Sequence, residues 1–346
     1  MKGIKKLTSL GLVGLLFSMS VFHSNAFTLE RIQGKNKYET AGLVADKQQY
    51  TTAILINADS TMSDGLSASG LAGVNNAPIL LTQKNNIPKE TLERVERAKK
   101  VYIIGGENSI DKSTEGILKD KGKEIKRLQG DDRIKTSYSV AKEINAIKKV
   151  NTIMLTNAFK GEVDTMSIAP IAIMKNAPII LTNGSTIPFK FDKTITSYVV
   201  GGNKSMTDDL LIKTNSQRLT GVDRYATNRN IIKSFYNRAV EEFYIASGTD
   251  LVYPLIASTI VKDKPMVLVN ESNNKEILRN ASKITVVGDL DESIIKKCLD
   301  VKDGKSETKT KKEKIYVEGF GWVEPTDSEG EEGNSDGDFN KIVANM

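Results

Sequence analysis

The 346-residue chain contains one histidine, one cysteine and one tryptophan, and each scarcity removes a class of chemistry. The histidine, His23, lies in a leader: Lys2, Lys5 and Lys6 form a basic start, an apolar stretch covers residues 7–22, and Ser24-Asn25-Ala26 supplies the small residues that signal peptidase requires. Cleavage is expected before Phe27. Sixteen residues interrupted by serine and glycine are short for a retained membrane span. The mature chain then holds no imidazole, which excludes Ser-His-Asp and Cys-His nucleophile systems and every His-containing zinc site. Cys298 has no partner for an internal disulfide, and among Ile294, Ile295 and Leu299 it reads as a small core residue.

Nucleotide fingerprints are missing too. Neither G-x-G-x-x-G nor G-x-x-x-x-G-K-[ST] occurs, so no cofactor is expected. The acidic C-terminal stretch lacks the spacing of a calcium loop.

Charge is modest and unevenly spread. The full sequence has 49 basic and 43 acidic residues. Without the leader and the segment from residue 305 onward, which holds 6 basic and 10 acidic residues, the body carries 40 basic against 33 acidic. A positive secreted body favours anionic partners, which outside a cell are wall polymers and lipid headgroups rather than nucleic acid; a mixed solvated surface would have the same balance.

What the chain does have is an internal repeat. Arg31-Ile-Gln-Gly34-Lys-Asn-Lys37-Tyr38-Glu-Thr40 recurs as Arg127-Leu-Gln-Gly130-Asp-Asp-Arg133-Ile134-Lys-Thr136 and as Arg218-Leu-Thr-Gly221-Val-Asp-Arg224-Tyr225-Ala-Thr227. The offsets are 96 and 91 residues. Asn76-Ala-Pro78-Ile-Leu-Leu81-Thr82 matches Asn176-Ala-Pro178-Ile-Ile-Leu181-Thr182 and, loosely, Asp263-Lys-Pro265-Met-Val-Leu268-Val269. A third landmark is an apolar run ending in glycine, at Gly105-Gly106, Gly201-Gly202 and Gly288-Asp289.

Short apolar runs alternate with longer amphipathic stretches, the pattern of strands joined by helices. In the first unit, residues 53–56, 79–81 and 100–104 read as strands, and residues 38–48, 65–74 and 89–98 as helices. The strands are nearly continuous in apolar character, as parallel strands covered on both faces are. Each unit is expected to be a small three-layer α/β module, and three in tandem with almost no linker should pack together. The boundaries read as a signal peptide at 1–26, repeats at 27–123, 124–214 and 215–304, and a charged tail at 305–346.

The glycine pairs suit tight strand-to-helix turns, with anion capture by their N–H groups as a looser reading. Arg133 and Arg224, with Lys37 in the equivalent place, precede predicted helices, where a cation costs about 0.3 to 1 kcal/mol. Two explanations stand level: a guanidinium fork for phosphate or carboxylate groups of a polymer, or an inter-repeat salt bridge to an acid such as Asp131, Asp132 or Asp223. Asp64 and Asp164 read as helix N-caps, and nothing in the pattern pairs carboxylates for catalysis. In the tail, residues 315–325 are aromatic (Tyr316, Phe320, Trp322) and residues 326–338 acidic and glycine-rich; low apolar content points to disorder over most of it.

Together the three landmarks resemble the clostridial cell-wall-binding type 2 repeat family, carried by the Arg-x-x-Gly-x-x-Arg-Tyr-x-Thr opening, clearest at Arg218 to Thr227, and by Pro-Ile-Leu-Leu, clearest at Pro78 to Leu81. The resemblance covers about residues 29–300. It implies a pseudo-threefold assembly of three α/β modules with mainly parallel sheets, at the cell surface. It also implies non-covalent binding of an anionic secondary cell-wall polysaccharide, with other surface-layer proteins as further partners. The contacts expected are Lys37, Arg133 and Arg224, the strand motifs Pro78, Ile79, Leu80, Leu81 and Pro178, Ile179, Ile180, Leu181, and the turns Gly105, Gly106, Gly201 and Gly202. No LPxTG-type signal and no apolar C-terminal span occurs, which fits non-covalent retention and no membrane span in the mature chain. Room for an added catalytic domain is lacking, so the activity expected is anchoring; a carboxylate enzyme acting on wall glycan or phosphodiester, and an interaction protein displaying its tail, are the alternatives.

Overall fold

A computed structural model describes residues 27–59, 62, 64–187, 189–236 and 240–305, together with the backbone of two short strands in the tail. The leader and most of the tail, with the readings made on them, lie outside the described residues.

Three four-stranded sheets, parallel throughout, hold most of the apolar runs. The first combines β2 (Thr52–Asn57), β3 (Ile79–Thr82), β4 (Lys100–Ile104) and β5 (Glu124–Leu128) in the order β3-β2-β4-β5. The second repeats that order with β6 (Thr152–Asn157), β7 (Ile179–Thr182), β8 (Thr196–Val200) and β9 (Gln217–Leu219). In the third, β10 (Glu242–Ser247), β11 (Met266–Val269) and β12 (Lys283–Val287) are joined by β1 (Thr28–Ile32) from the other end of the chain. The sheets therefore straddle the repeat boundaries. β5 and β9, which open the second and third repeats, complete the sheets of the repeats before them, and β1 closes the ring.

All six residues of β2 and all four of β3, β7 and β11 are buried, because helices cover both faces. On the inner side, α2 (Ala68–Asn75), α6 (Glu162–Lys175) and α9 (Val252–Val261) pack on one another about the pseudo-threefold axis. Every residue of α9 is buried. Two glycines set the α2–α6 approach: a Cβ on Gly73 would lie 2.6 Å from the Ile173 carbonyl oxygen, and one on Gly70 would collide with that of Ala177. On the outer side of the first sheet lie α3 (Lys89–Val95) and α4 (Lys112–Asp120), sealing Ala53, Leu55 and Leu80 into a separate core. Outside the third sheet, α10 (Glu292–Lys302) buries Ile295 and Cys298, the cysteine occupying the small core position expected.

Three opening helices, α1 (Lys37–Ala45), α5 (Arg133–Ile147) and α8 (Arg224–Phe235), start alike. Asn36, Asp132 and Asp223 each cap by accepting from a backbone N–H three residues on. The motif threonines Thr40, Thr136 and Thr227 accept from the N–H of Gly34, Gly130 and Gly221 at 2.9, 3.1 and 3.0 Å. Half of the repeat's signature is thus a helix-start device.

Candidate functional site

Beside β2, β6 and β10 the next strand along the chain lies on one side and the one after it on the other, so a topological switch point falls between β2 and β4, β6 and β8, and β10 and β12. Ligands of open parallel sheets bind at the carboxyl ends of such strands. At the first two switch points an asparagine ties the loops together: Asn57 Nδ2 donates to the Ser109 carbonyl, and Asn157 Nδ2 to that of Ser205 at 2.7 Å. The glycines follow β4 and β8, with Gly105 at φ 112° and Gly201 at φ 117°, a region that disfavours other residues. Each turn accommodates a carboxylate, since a Cβ on Gly105 would meet Asp64 Oδ2 at 2.8 Å and one on Gly201 would meet Asp164 Oδ2 at 3.1 Å.

These carboxylates are not the helix caps the spacing suggested. Asp64 precedes a turn of 3-10 helix without a side-chain capping bond, and Asp164 sits inside the first turn of α6, which starts after Gly161. Burial pushes Asp64 up, against hydrogen bonds from Thr136 and Ser109 and the charge of Arg133. Burial likewise pushes the Asp164 carboxyl up to about 6, with Arg224 pulling the other way.

The three motif cations have different company. Lys37 donates to the Ala58 carbonyl at 2.6 Å and pairs with Asp59 at 3.0 Å. Arg133 donates to the Ala158 carbonyl at 2.8 Å, pairs with Glu162 at 3.3 Å and lies over the Phe159 ring. Arg224 has no hydrogen bond or ion-pair partner within 4.0 Å among the described residues. It faces a cleft of about 580 Å³ at the second switch point. Lys160 and Asp164 from the second module, Gly202 and Lys204 after β8, and Val222 and Arg224 at the start of α8 line that cleft. Phe159 is 62% exposed and Val222 fully exposed at its wall.

The inter-repeat salt bridges fall elsewhere than on Arg133 and Arg224. The first arginine of each motif makes them: Arg127 donates to the Gly105 carbonyl at 2.8 Å and to Glu115 of α4 at 2.6 Å. Arg218 does the same with the Gly201 carbonyl and Asp208 at 2.7 and 2.8 Å, Asp208 opening α7 (Asp208–Thr214). Arg31 reaches Glu292 of α10. The invariant offset of this arginine from the glycine, visible in the sequence, was the available signal.

Of the expected contacts, Arg224 and Gly202 meet in the cleft, with Gly201 beside Asp164. Gly105 and Gly106 occupy the equivalent turn near Arg133 and Asp64. The strand motifs require a correction: Pro78, Ile79, Leu80, Leu81, Pro178, Ile179, Ile180 and Leu181 are all buried, so they form the core under the loops and are not presented to a polymer. Among the described residues no cluster of acidic, cysteine or histidine side chains could hold a metal ion, and no helix is long and apolar enough to cross a membrane.

A family model described as cell wall binding domain 2 matches residues 31–115, 127–211 and 218–295. The chain is 31% identical over 292 residues to the N-acetylmuramoyl-L-alanine amidase LytC of Bacillus subtilis (strain 168), covering 81% of this chain and 57% of that protein. It is 31% identical over 248 residues to the amidase enhancer of the same organism, covering 69% and 34%. Among solved structures it is similar to Cwp6 from Clostridium difficile, with a TM-score of 0.72 at 25% identity over 80% of this chain and 48% of that one. Cwp8 from Clostridium difficile gives 0.71 at 28%, over 80% and 51%. The chain spans no more than 57% of the length of any of these relatives.

Proposed function

The chain belongs to the cell wall binding domain 2 family, and we propose that it attaches non-covalently to the wall at the cell surface by holding an anionic wall polysaccharide in the cleft between its second and third modules. One observation carries this reading: among the described residues Arg224 alone of the three motif cations has no hydrogen bond or ion pair within 4.0 Å, and it faces a cleft of about 580 Å³. A guanidinium with free donors suits a phosphate or carboxylate. Lys160 and Lys204 stand near it, set against the carboxylates of Glu162, Asp164 and Asp223 that line the same cleft, and the exposed Phe159 offers an apolar face for a sugar ring. The equivalent positions at the other junctions are weaker candidates, because Asp59 neutralises Lys37 and Glu162 neutralises Arg133.

The test is sedimentation of the mature chain with purified walls, before and after the anionic polymer is stripped. Binding should disappear with the polymer and fall with high salt, and Arg224→Gln should weaken it by tenfold or more, roughly the 1.5–3 kcal/mol of a charge-assisted contact. Arg133→Gln should have a much smaller effect. Undiminished binding to stripped walls would overturn the reading.

Anchoring is favoured over catalysis because the carboxylates raised by burial stand at separate junctions, Asp64 beside Gly105 and Asp164 beside Gly201. Release of sugar or phosphate from walls on incubation, lost in Asp164→Asn, would establish the enzyme instead.

A further inference from the structure

Among the described residues the second module lacks a helix that the first one has. In the first, α3 runs between β3 and β4, packs Leu92 and Val95 over the outer face of the sheet, and lays Arg94 across Gly42 of α1. Between β7 and β8 the described residues contain no helix. At the 96-residue spacing Tyr138 replaces Gly42, and its ring meets Phe189 edge-on with centroids 5.2 Å apart. These rings fill only part of the space. An apolar groove of about 500 Å³ remains between α5 and the outer face of the second sheet, walled by Tyr138, Ala141, Val150, Ile153, Ile180 and Phe189. The Tyr138 hydroxyl is buried at this wall with no hydrogen-bond partner among the described residues.

Positive charge surrounds the groove. Lys142 lines it, Lys149 and Lys190 adjoin lining residues, and Lys148 and Lys193 lie close by in sequence. All five are exposed, and none has a salt-bridge partner within 4.0 Å among the described residues.

The tail has the complementary character. From residue 315 to the end it holds eight acidic residues and one basic. Its two described strands, β13 (Ile315–Val317) and β14 (Gly321–Val323), pair antiparallel, with the backbone register setting Tyr316 opposite Trp322. A lone two-stranded ribbon is marginal in water and needs an apolar surface to pack against. Nine residues lie between it and Lys305, enough for about 33 Å of extended chain from Lys305 to Ile315.

We propose that the aromatic hairpin of residues 315–323 seats in this groove of its own chain, in the space that α3 fills in the first module, with the acidic residues after it facing the lysines. The tail is then a built-in cover for the second module's sheet. Trp322 is the only tryptophan, so its fluorescence reports the tail alone. In the mature full chain its emission should be blue-shifted and shielded from acrylamide, and both should be independent of protein concentration. Phe189→Asp should move the emission to that of a hydrated indole. Lys142→Glu, an exposed change with no packing cost, should increase quenching, and circular dichroism checks that both variants are folded. A water-exposed Trp322 in the parent chain would overturn the proposal, as would a shielded one that neither variant disturbs. Shielding that vanishes on dilution would also overturn it, by assigning the groove to the tail of another copy.

Discussion

Asp164→Asn is expected to make the protein more stable at neutral pH, by a margin that shrinks as the pH falls through mild acid. Burial holds the Asp164 carboxyl at about 6, against 3.8 for an ordinary aspartate. The folded state therefore binds this proton more tightly than the unfolded chain. Above pH 6 both states are ionised, and the folded state bears the whole cost of keeping the charge out of water. A difference near two pKa units corresponds to about 3 kcal/mol, a ceiling because part of the carboxyl faces the water of the cleft. As pH falls below about 6 the folded state takes up the proton first and the penalty shrinks, and it is gone once pH drops below 3.8 and the unfolded chain is protonated too. Asparagine has nearly the same shape and never ionises. Thermal unfolding of parent and variant at pH 8 and pH 4.5 should show a clear rise in Tm for the variant at pH 8 and about a third of that gain at pH 4.5, where the unfolded carboxylate is still mostly ionised. A variant less stable than the parent at pH 8, or a gain equal at both pH values, would refute the argument that ionisation is the cost. A destabilising group kept beside Arg224 is the kind of feature a binding site retains.

The same proton bears on attachment: losing the Asp164 charge leaves Arg224 more attractive to an anion, so wall binding should strengthen as pH falls from 8 to 5 in the parent and stay flat in Asp164→Asn, as sedimentation would show. Low pH would release the protein only once the polymer itself is neutralised. Arg127→Ala should lower stability by about 2–4 kcal/mol in denaturant unfolding, because Glu115, with only 17% of its side chain exposed, loses its partner and the Gly105 carbonyl loses a donor. Gly70→Ala should cost about 1–3 kcal/mol or more, since the new methyl would collide with the Ala177 carbonyl at the α2–α6 contact. Thr136→Val should cost about 1 kcal/mol by leaving the Gly130 N–H without its acceptor, and Thr227→Val the same at Gly221.

Much of the fold was legible because it is written in local periodicity. The strands at 53–56, 79–81 and 100–104 and the helices between them agree with β2, β3, β4 and their neighbours to within a few residues, since continuous β-branched and leucine runs have few other ways to be buried. The site was less legible. Lys37, Arg133 and Arg224 are equivalent in sequence, yet Asp59 pairs with the first and Glu162 with the second, while Arg224 has no ion pair within 4.0 Å among the described residues. The family resemblance implied that the Pro-Ile-Leu-Leu motif is a contact surface; it repeats because the four residues after the proline must fill a strand buried on both faces.

By itself the sequence determined the threefold repetition, the alternation of strand and helix, and the exclusion of histidine and disulfide chemistry from residues 27 onward, since those follow from composition and local spacing. Only the tertiary structure decided which strand completes which sheet. Hydrogen-bond partners in a parallel sheet are chosen across long chain separations, and nothing local to residues 28–32 marks them for a sheet whose other strands begin more than 200 residues later. The same long-range closure brings the second module's Asp164 against the third repeat's Arg224, and so places the cleft at a junction that neither repeat contains alone.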